Sequence, residues 1–135
     1  MIQIEQIAYQ LAWPIRQEVM YPDHTLDFVK LKNDVVGIHF ALYYHHKITG
    51  VVSLFNEGTV YQFRKLAILK ESQSLGLGKK LMEHLIEYCR IQKATKLWCN
   101  ARVNAKDFYI QLGFTTTETT FFKDGYDFII MELDL

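Results

Sequence analysis

Two glycines at the start of a predicted helix mark the part of this sequence that is best suited to bind an anion. Gly76 and Gly78 stand at the beginning of a helix predicted over residues 76–93, which follows a predicted strand. Glycine allows a ligand to approach the backbone closely, and the unpaired N–H groups and dipole of a helix N-terminus favour a phosphate. Gln73 adds an amide donor and Lys79 adds positive charge. The segment therefore predicts a loop that binds phosphate or pyrophosphate.

The spacing of this loop does not match the two common nucleotide-binding motifs. The dinucleotide fingerprint requires a third glycine where Leu81 stands, and its first glycine should follow the strand closely, whereas residues 70–75 intervene here. The Walker loop requires Ser or Thr after its lysine, but Lys80 follows Lys79. A nucleotide-binding domain of either kind is therefore not expected.

Hydrophobic periodicity predicts the elements that must position the loop. In the helix after it, Leu77, Leu81, Leu85 and Cys89 form one apolar row. Period-two alternation and turn signals predict strands over residues 2–7, 35–44, 47–55, 59–69, 96–101, 115–122 and 126–133. Shorter helices are predicted over residues 13–20 and 104–112. We expect a mixed α/β sheet in which the long helix is a right-handed crossover between two parallel strands.

Composition limits the classes of function. The chain has 135 residues, of which 50% are hydrophobic, so one domain over residues 1–135 is expected. Its 15 basic and 15 acidic residues balance, which argues against nucleic acid or an anionic membrane as a partner. We expect no signal peptide and no membrane span, and the two cysteines suit the reducing cytoplasm. No metal site is expected, because the neighbouring His45 and His46 would point apart on a strand.

Three segments resemble signatures of the GNAT acetyltransferase superfamily. Gln73-x-x-Gly76-x-Gly78 resembles its pyrophosphate-binding loop, residues 100–114 resemble its later signature, and residues 63–68 resemble the strand before the loop. They occur in the family's order, and the resemblance extends over residues 35–133. It implies the GNAT fold: a mixed, mostly antiparallel sheet of six to seven strands, flanked by helices, in which the parallel pair splays apart. A looser likeness to a largely uncharacterised bacterial branch of the family rests on Arg16, Val19, Met20, Pro22, Asp34, His39 and Phe40.

The resemblance implies that acetyl-CoA is the co-substrate and that an amine attacks its thioester directly. It implies a cofactor-binding set of Leu66, Ala67, Ile68, Gln73, Ser74, Leu75, Gly76, Leu77, Gly78, Lys79 and Asn104. The Ile68 N–H is then the expected oxyanion donor, and Tyr109 the donor to the departing thiolate. Two of these residues have other interpretations: Asn104 also suits a helix N-cap, and Tyr109 also suits an aromatic that packs its helix on the sheet.

The sequence leaves several alternatives for the general base and for the residues of the acceptor pocket. The strand before the loop has no carboxylate, which leaves Glu57, His39, a water relay or no dedicated base, and a histidine on a strand is more often structural. The acceptor pocket is expected between residues 20–28 and 121–126. Asp23, Asp27 and Asp124 suit the attraction of a cationic amine there, and Tyr21, Phe121 and Tyr126 suit its walls, although all six equally suit ordinary loop roles. Arg64 and Arg102 suit either a cofactor phosphate or a substrate carboxylate, and equally a surface or structural role.

Two functions are compatible with these residues. The first is an N-acetyltransferase that acetylates a primary amine of a small molecule or a peptide. The second is a sensor or regulatory module that binds acyl-CoA without turnover, which the missing carboxylate keeps open. The family's habits also suggest a homodimer that pairs through the C-terminal strands.

Overall fold

Seven strands form one sheet in this protein. The structure is a computed structural model that describes residues 1–135. The strands are β1 (Ile2–Ile7), β2 (Ile38–Tyr44), β3 (Lys47–Glu57), β4 (Val60–Ile68), β5 (Lys96–Arg102), β6 (Thr115–Lys123) and β7 (Tyr126–Asp134). The helices are α1 (Trp13–Met20), α2 (Leu77–Ile91) and α3 (Lys106–Gln111). The strand order is β1-β2-β3-β4-β5-β7-β6, and only β4 and β5 run parallel. The predicted mixed sheet and its helical crossover are confirmed.

Alternate residues of the central strands face two separate cores. Phe40 and Val52 belong to a cluster of 19 buried residues that includes the apolar row of α2. Ala41 and Val51, next to them in sequence, belong to a smaller cluster against which residues of α1 pack. Successive side chains of a strand point to opposite faces of the sheet. The helices α1 and α2 therefore cover opposite faces.

The parallel strands separate soon after they begin. They pair only from Val60 to Gln62 on β4, opposite Lys96 to Trp98 on β5, whereas β5 pairs with β7 along its whole length. In its pairing with β3, on the other side, β4 has one extra residue. Ala67 faces Val51 and Arg64 faces Ser53, so three steps along β4 match two steps along β3. Lys65, inside this bulge, has a φ of 59°. Because a bulge bends its strand, β4 turns away from β5 and opens a gap.

Short 3-10 turns account for the two clearest differences from the predicted elements. The strand predicted from residue 35 begins at Ile38, because Asp34–Val36 forms a 3-10 turn. The helix predicted from Asn104 begins at Lys106, after a 3-10 turn over Val103–Ala105. In that turn the Lys106 N–H donates to the Val103 carbonyl, so a first-turn donor is already satisfied. The prediction that Asn104 caps the helix is therefore wrong; its exposed side chain makes no capping bond.

The remaining predictions about elements concern turns, the first helix and membrane segments. The helix predicted over residues 13–20 is confirmed, and Pro14 lies in its first turn. The hairpin after β6 turns at Asp124 and Gly125, which have φ values of 52° and 85°, the left-handed pair that suits a tight hairpin. None of the helices combines the length and apolar character needed to cross a membrane.

Candidate active site

The gap between β4 and β5 opens into a cavity of about 620 Å³, here called the splay cavity. The walls come from the end of β4, the start of α2 and one face of α3. Nine residues of the predicted cofactor set line it: Leu66, Ala67, Ile68, Gln73, Ser74, Gly76, Leu77, Gly78 and Lys79. The other two, Leu75 and Asn104, are exposed and do not line it.

The loop before α2 has the backbone that an anion site requires. Gly76 is the residue before the first helical position and has a φ of 77°, which glycine adopts without the strain of a side chain. The first N–H groups of a helix have no intrahelical acceptor and face outward along its axis. A Cβ at Gly78 would lie 3.6 Å from Phe108 and 3.7 Å from Ile68, both of which line the cavity. A side chain there would occupy space that glycine leaves for a ligand.

The end of β4 presents free backbone groups to the splay cavity. The Leu69 N–H donates to the Thr49 carbonyl on β3 at 2.9 Å, and N–H groups alternate along a strand, so the N–H of the neighbouring Ile68 points the other way, toward the gap. The Gln73 side-chain amide donates to the Ile68 carbonyl at 3.0 Å. Gln73 therefore secures the end of β4 with its amide, a role that its place in the sequence does not reveal.

Tyr109 stands where two cavities meet. It lines the splay cavity and also a second cavity of about 500 Å³ on the other side. Aromatic contacts fix its ring, with Phe63, Phe108 and Phe114 at centroid distances of 5.6, 5.1 and 5.8 Å. Burial, with a smaller contribution from Cys99, raises the pKa of Tyr109 above its usual range. The hydroxyl therefore stays protonated at neutral pH and can donate a hydrogen bond.

The second cavity, here called the basic cavity, lies at the expected acceptor position. Met20 and Pro22 border it on one side and Tyr126 on the other. A smaller pocket of about 150 Å³ adjoins it and is lined by Tyr21, Phe121 and Asp124 among others. Asp23 and Asp27, two of the candidates for attracting a cationic amine, line neither space, and Asp27 forms an ion pair with Lys30 at 2.8 Å.

The charged side chains of the basic cavity are all cations. Arg64, Lys65 and Arg102 line both it and the adjoining pocket. Lys65 donates to the Tyr21 hydroxyl at 2.6 Å, and the Arg102 guanidinium lies 3.8 Å from the centroid of the Tyr126 ring. None of the three cations forms a salt bridge. The basic cavity itself has no acidic lining residue.

A separate polar network lies buried beneath α1. Arg16 and Asp34 form a bidentate ion pair at 2.8 and 2.9 Å, and Arg16 also donates to the Ser53 hydroxyl at 2.7 Å. Burial acts to raise the pKa of Asp34, but hydrogen bonds from Arg16 and two further donors outweigh it and hold that pKa below its usual value. The resemblance to the bacterial branch marked Arg16, Asp34 and His39 without assigning them a role. The structure shows that they hold the segment after α1 to the sheet.

His39 and Glu57 do not reach the basic cavity. The two ring nitrogens of His39 are engaged by the Ser53 hydroxyl at 2.7 Å and the Asp34 carbonyl at 2.8 Å. Burial lowers the pKa of His39. The structural interpretation of His39 is thus confirmed. Glu57, at the end of β3, lines a different small pocket.

No cluster of three or more His, Cys, Asp or Glu residues could hold a metal ion. Cys89 and Cys99 are free, and burial raises the pKa of each thiol to about 12. Cys99 lines the basic cavity but stays a neutral thiol at physiological pH. Cys99 is a small buried side chain of the core.

Several residues of the splay cavity were not expected from the sequence. Val19 of α1 lines both cavities, and Phe108 lines the splay cavity together with Leu112. Phe108, Tyr109 and Leu112 share one face of a helix, so that periodicity could have placed Phe108 and Leu112 beside Tyr109. Val19 has no such signal, because its place depends on how α1 crosses β4.

Comparisons with known proteins identify the family and the fold. The model of the acetyltransferase (GNAT) domain matches residues 30–135. The uncharacterised N-acetyltransferase YitI of Bacillus subtilis is 24% identical over 122 residues, 84% of this chain and 82% of that protein. A Lactobacillus plantarum structure with a provisional N-acetyltransferase assignment superposes with a TM-score of 0.89 at 20% identity, covering 99% and 98% of the two chains.

A second solved structure carries a ligand. It is a GNAT family acetyltransferase from Elizabethkingia anophelis with acetyl-CoA bound, and it superposes with a TM-score of 0.75 at 18% identity, covering 99% of this chain and 98% of that one. At this level of identity the likeness of the structures shows the fold. The family match, which spans most of the sequence, shows more: this chain belongs to the GNAT acetyltransferase family.

Proposed function

We propose that this protein is an N-acetyltransferase that transfers the acetyl group of acetyl-CoA to a primary amine of a small molecule or a peptide. The observation that carries the proposal is the position of Tyr109 between the splay cavity and the basic cavity. One cavity has the phosphate loop and the free edge of β4, and the other is a separate space for an acceptor. A hydroxyl donor lies where the two substrates would meet.

The residues of the splay cavity fit acetyl-CoA. The αL conformation at Gly76 and the free N–H groups of the first turn of α2 suit a pyrophosphate, and Lys79 adds a positive charge beside them. The unpaired backbone of β4 suits the amide groups of a pantetheine arm. When bound, acetyl-CoA supplies the activated acetyl thioester. The Ile68 N–H, which points into the gap, is placed to donate to an oxyanion.

The surroundings of the basic cavity favour a neutral amine. Arg64, Lys65 and Arg102 disfavour an ammonium ion nearby, so they lower the pKa of a bound amine without a carboxylate base. In direct transfer the amine nitrogen bonds to the acetyl carbon and the carbon–sulfur bond breaks. The nitrogen loses its proton to solvent water, and the departing thiolate takes a proton from solvent water, which gives the amide and free CoA. Cys99 is unsuited to carry the acetyl group itself, because its thiol stays protonated.

Tyr109 acts as a hydrogen-bond donor to the sulfur that departs. Because burial raises its pKa, full transfer of its proton to a thiolate with a pKa of about 8.5 is uphill. A hydrogen bond from a protonated hydroxyl still stabilises the charge that develops on sulfur. The role requires a hydroxyl and not merely an aromatic ring.

Tyr109→Phe tests the assignment directly. We expect kcat to fall by about 10²-fold while the Kd for CoA changes little, because the ring packing is kept. The measurements are release of thiol from acetyl-CoA, with a panel of primary amines, and calorimetric titration with CoA. Tyr88→Phe is the matched control, since Tyr88 is partly buried against Phe40 and lines neither cavity. Equal turnover in both variants would remove Tyr109 from the mechanism.

The second candidate is a module that binds acyl-CoA without turnover, which the absence of a carboxylate from the basic cavity favours. Thermal unfolding separates binding from catalysis. Acetyl-CoA at 100 times its Kd should stabilise the fold by about 2.7 kcal/mol. Stabilisation without acetylation of any amine would support the sensor, and the absence of stabilisation by acetyl-CoA and CoA would contradict both functions.

A further inference from the structure

We propose that the acceptor carries an anionic group, a carboxylate or a phosphate, close to its reactive amine, and that Arg64, Lys65 and Arg102 bind this group. The inference rests on the proposed function and specifies its substrate class. It comes from the charge of the basic cavity, the freedom of its cations and their separation from the phosphate loop.

The charge of the basic cavity differs sharply from that of the whole chain. Acidic and basic residues balance over the sequence, yet the cavity has three cations and no acidic side chain among its 15 lining residues. In the adjoining pocket Lys123 adds a fourth cation, against the single carboxylate of Asp124. Low-dielectric walls strengthen the field of like charges in a cleft. Such a site attracts an anion and repels an acceptor whose only charge is positive.

Two of the three cations are held in position by tyrosine side chains, and both arginines keep their donors free. The Arg102 guanidinium lies over the Tyr126 ring, and Lys65 is fixed by the hydroxyl and the face of Tyr21, at 2.6 Å and 4.9 Å. Neither contact neutralises the charge. Arg64 and Arg102 make no side-chain hydrogen bond within the protein, so each guanidinium keeps the planar fork that matches a carboxylate or a phosphate.

The phosphates of the cofactor do not account for these residues. Gly76, Gly78 and Lys79 line only the splay cavity, although Gln73 at the start of the loop lines both cavities. Arg64, Lys65 and Arg102 line only the basic cavity and its adjoining pocket. Tyr109 lies between the two groups. The anion that the three cations bind is therefore on the acceptor side of the reacting atoms.

The test uses the full-length protein saturated with CoA and matched pairs of amines. One pair is a free amino acid and its C-terminal amide, and the other is phosphoethanolamine and ethanolamine. Binding is followed by backbone NMR shifts, and acetylation with acetyl-CoA is measured in parallel. We expect the charged member of at least one pair to bind at least about tenfold more tightly. The pair that shows the larger preference identifies carboxylate or phosphate as the group recognised.

Charge-removing variants show whether the named residues are responsible. Arg64→Gln and Arg102→Gln should each reduce the preference for the charged amine by about tenfold. Arg90→Gln removes one cation from the exposed side of α2 and should leave the preference intact. The slope of binding against salt concentration should fall in the first two variants only.

The outcomes separate this inference from the proposed function. Acetylation in which the charged and the neutral amine of every pair bind equally would overturn the inference and leave the acetyltransferase intact. Failure of every amine to bind the CoA-saturated protein would also overturn it. Failure of CoA itself to bind would overturn the proposed function, and the amine titrations do not depend on turnover.

Discussion

Arginine residues of this protein lie in two opposite environments, one buried with a counter-ion and one partly exposed without a counter-ion. Arg16 is completely buried, and Asp34 and the Ser53 hydroxyl receive its hydrogen bonds. Arg64 and Arg102 are partly exposed at an open cavity and have no acidic partner. The first group has its counter-ion inside the fold, and the second has none. The first cation is neutralised within the fold, whereas the charge of the second group stays available to the anion proposed above.

The energetic reason is the cost of removing a charge from water. A buried ion loses several kcal/mol of hydration, which only a close partner and further hydrogen bonds can offset. Arg16 gains this compensation at both terminal nitrogens, through a bidentate pair and two neutral acceptors, Val29 and Ser53, and only its Nε has no partner. Arg64 and Arg102 keep part of their hydration, so the fold tolerates them unpaired. They can then exchange that water for an anion.

The largest expected effect comes from breaking the buried pair. Asp34→Ala leaves Arg16 charged and without a counter-ion, which should lower the free energy of unfolding by about 3–5 kcal/mol. Urea denaturation followed by circular dichroism measures the change. Asp27→Ala is the matched control, because it removes an exposed carboxylate that pairs with Lys30 and should hardly change stability. Losses of equal size would show that the buried network is not what holds the segment after α1.

A smaller loss in the free energy of unfolding should appear when the pH falls. Burial lowers the pKa of His39 in the folded protein, so below its unfolded value of 6.5 the unfolded chain binds the extra proton. The stability that the neutral imidazole provides is complete above pH 6.5 and declines as the pH falls toward the folded pKa. The slope cannot exceed about 1.4 kcal/mol per pH unit for one proton.

Denaturation at half-unit steps from pH 7.5 to 5 tests this dependence. His39→Gln, which cannot titrate, should lose stability overall but show a flatter dependence on pH than the wild type. Identical slopes in the two proteins would show that protonation of His39 does not contribute.

Most of the fold could be predicted because its signals are local. The apolar row Leu77, Leu81, Leu85 and Cys89 is buried as one face of α2, since helical periodicity alone determines which residues share a face. The Asp-Gly pair at residues 124–125 likewise specifies its own turn. The start of α3 was missed because the competing 3-10 turn at Asn104 depends on a backbone bond that the residue types do not reveal.

The same distinction between local signals and tertiary contacts applies to the candidate site. The phosphate loop and Tyr109 carry motifs, so their positions around the splay cavity could be anticipated from the sequence. The Arg16–Asp34 pair could not be anticipated from the sequence, because its partners lie 18 residues apart and meet only when α1 packs on the sheet. The charge of the basic cavity is also a tertiary property, because Arg64 and Arg102 come from different strands.

The smallest expected effect concerns the stability of the free protein when the unpaired cations are removed. Arg64→Gln and Arg102→Gln should each change the free energy of unfolding by no more than about 0.5 kcal/mol, because neither breaks an ion pair. Added salt should slightly stabilise the wild type by screening the three like charges, and this gain should shrink in the double variant. Urea denaturation at low and moderate salt measures both quantities. A loss comparable to that of Asp34→Ala would mean that these arginines are structural. Near-constant stability together with lost preference for an anionic amine would show that their charge serves the ligand.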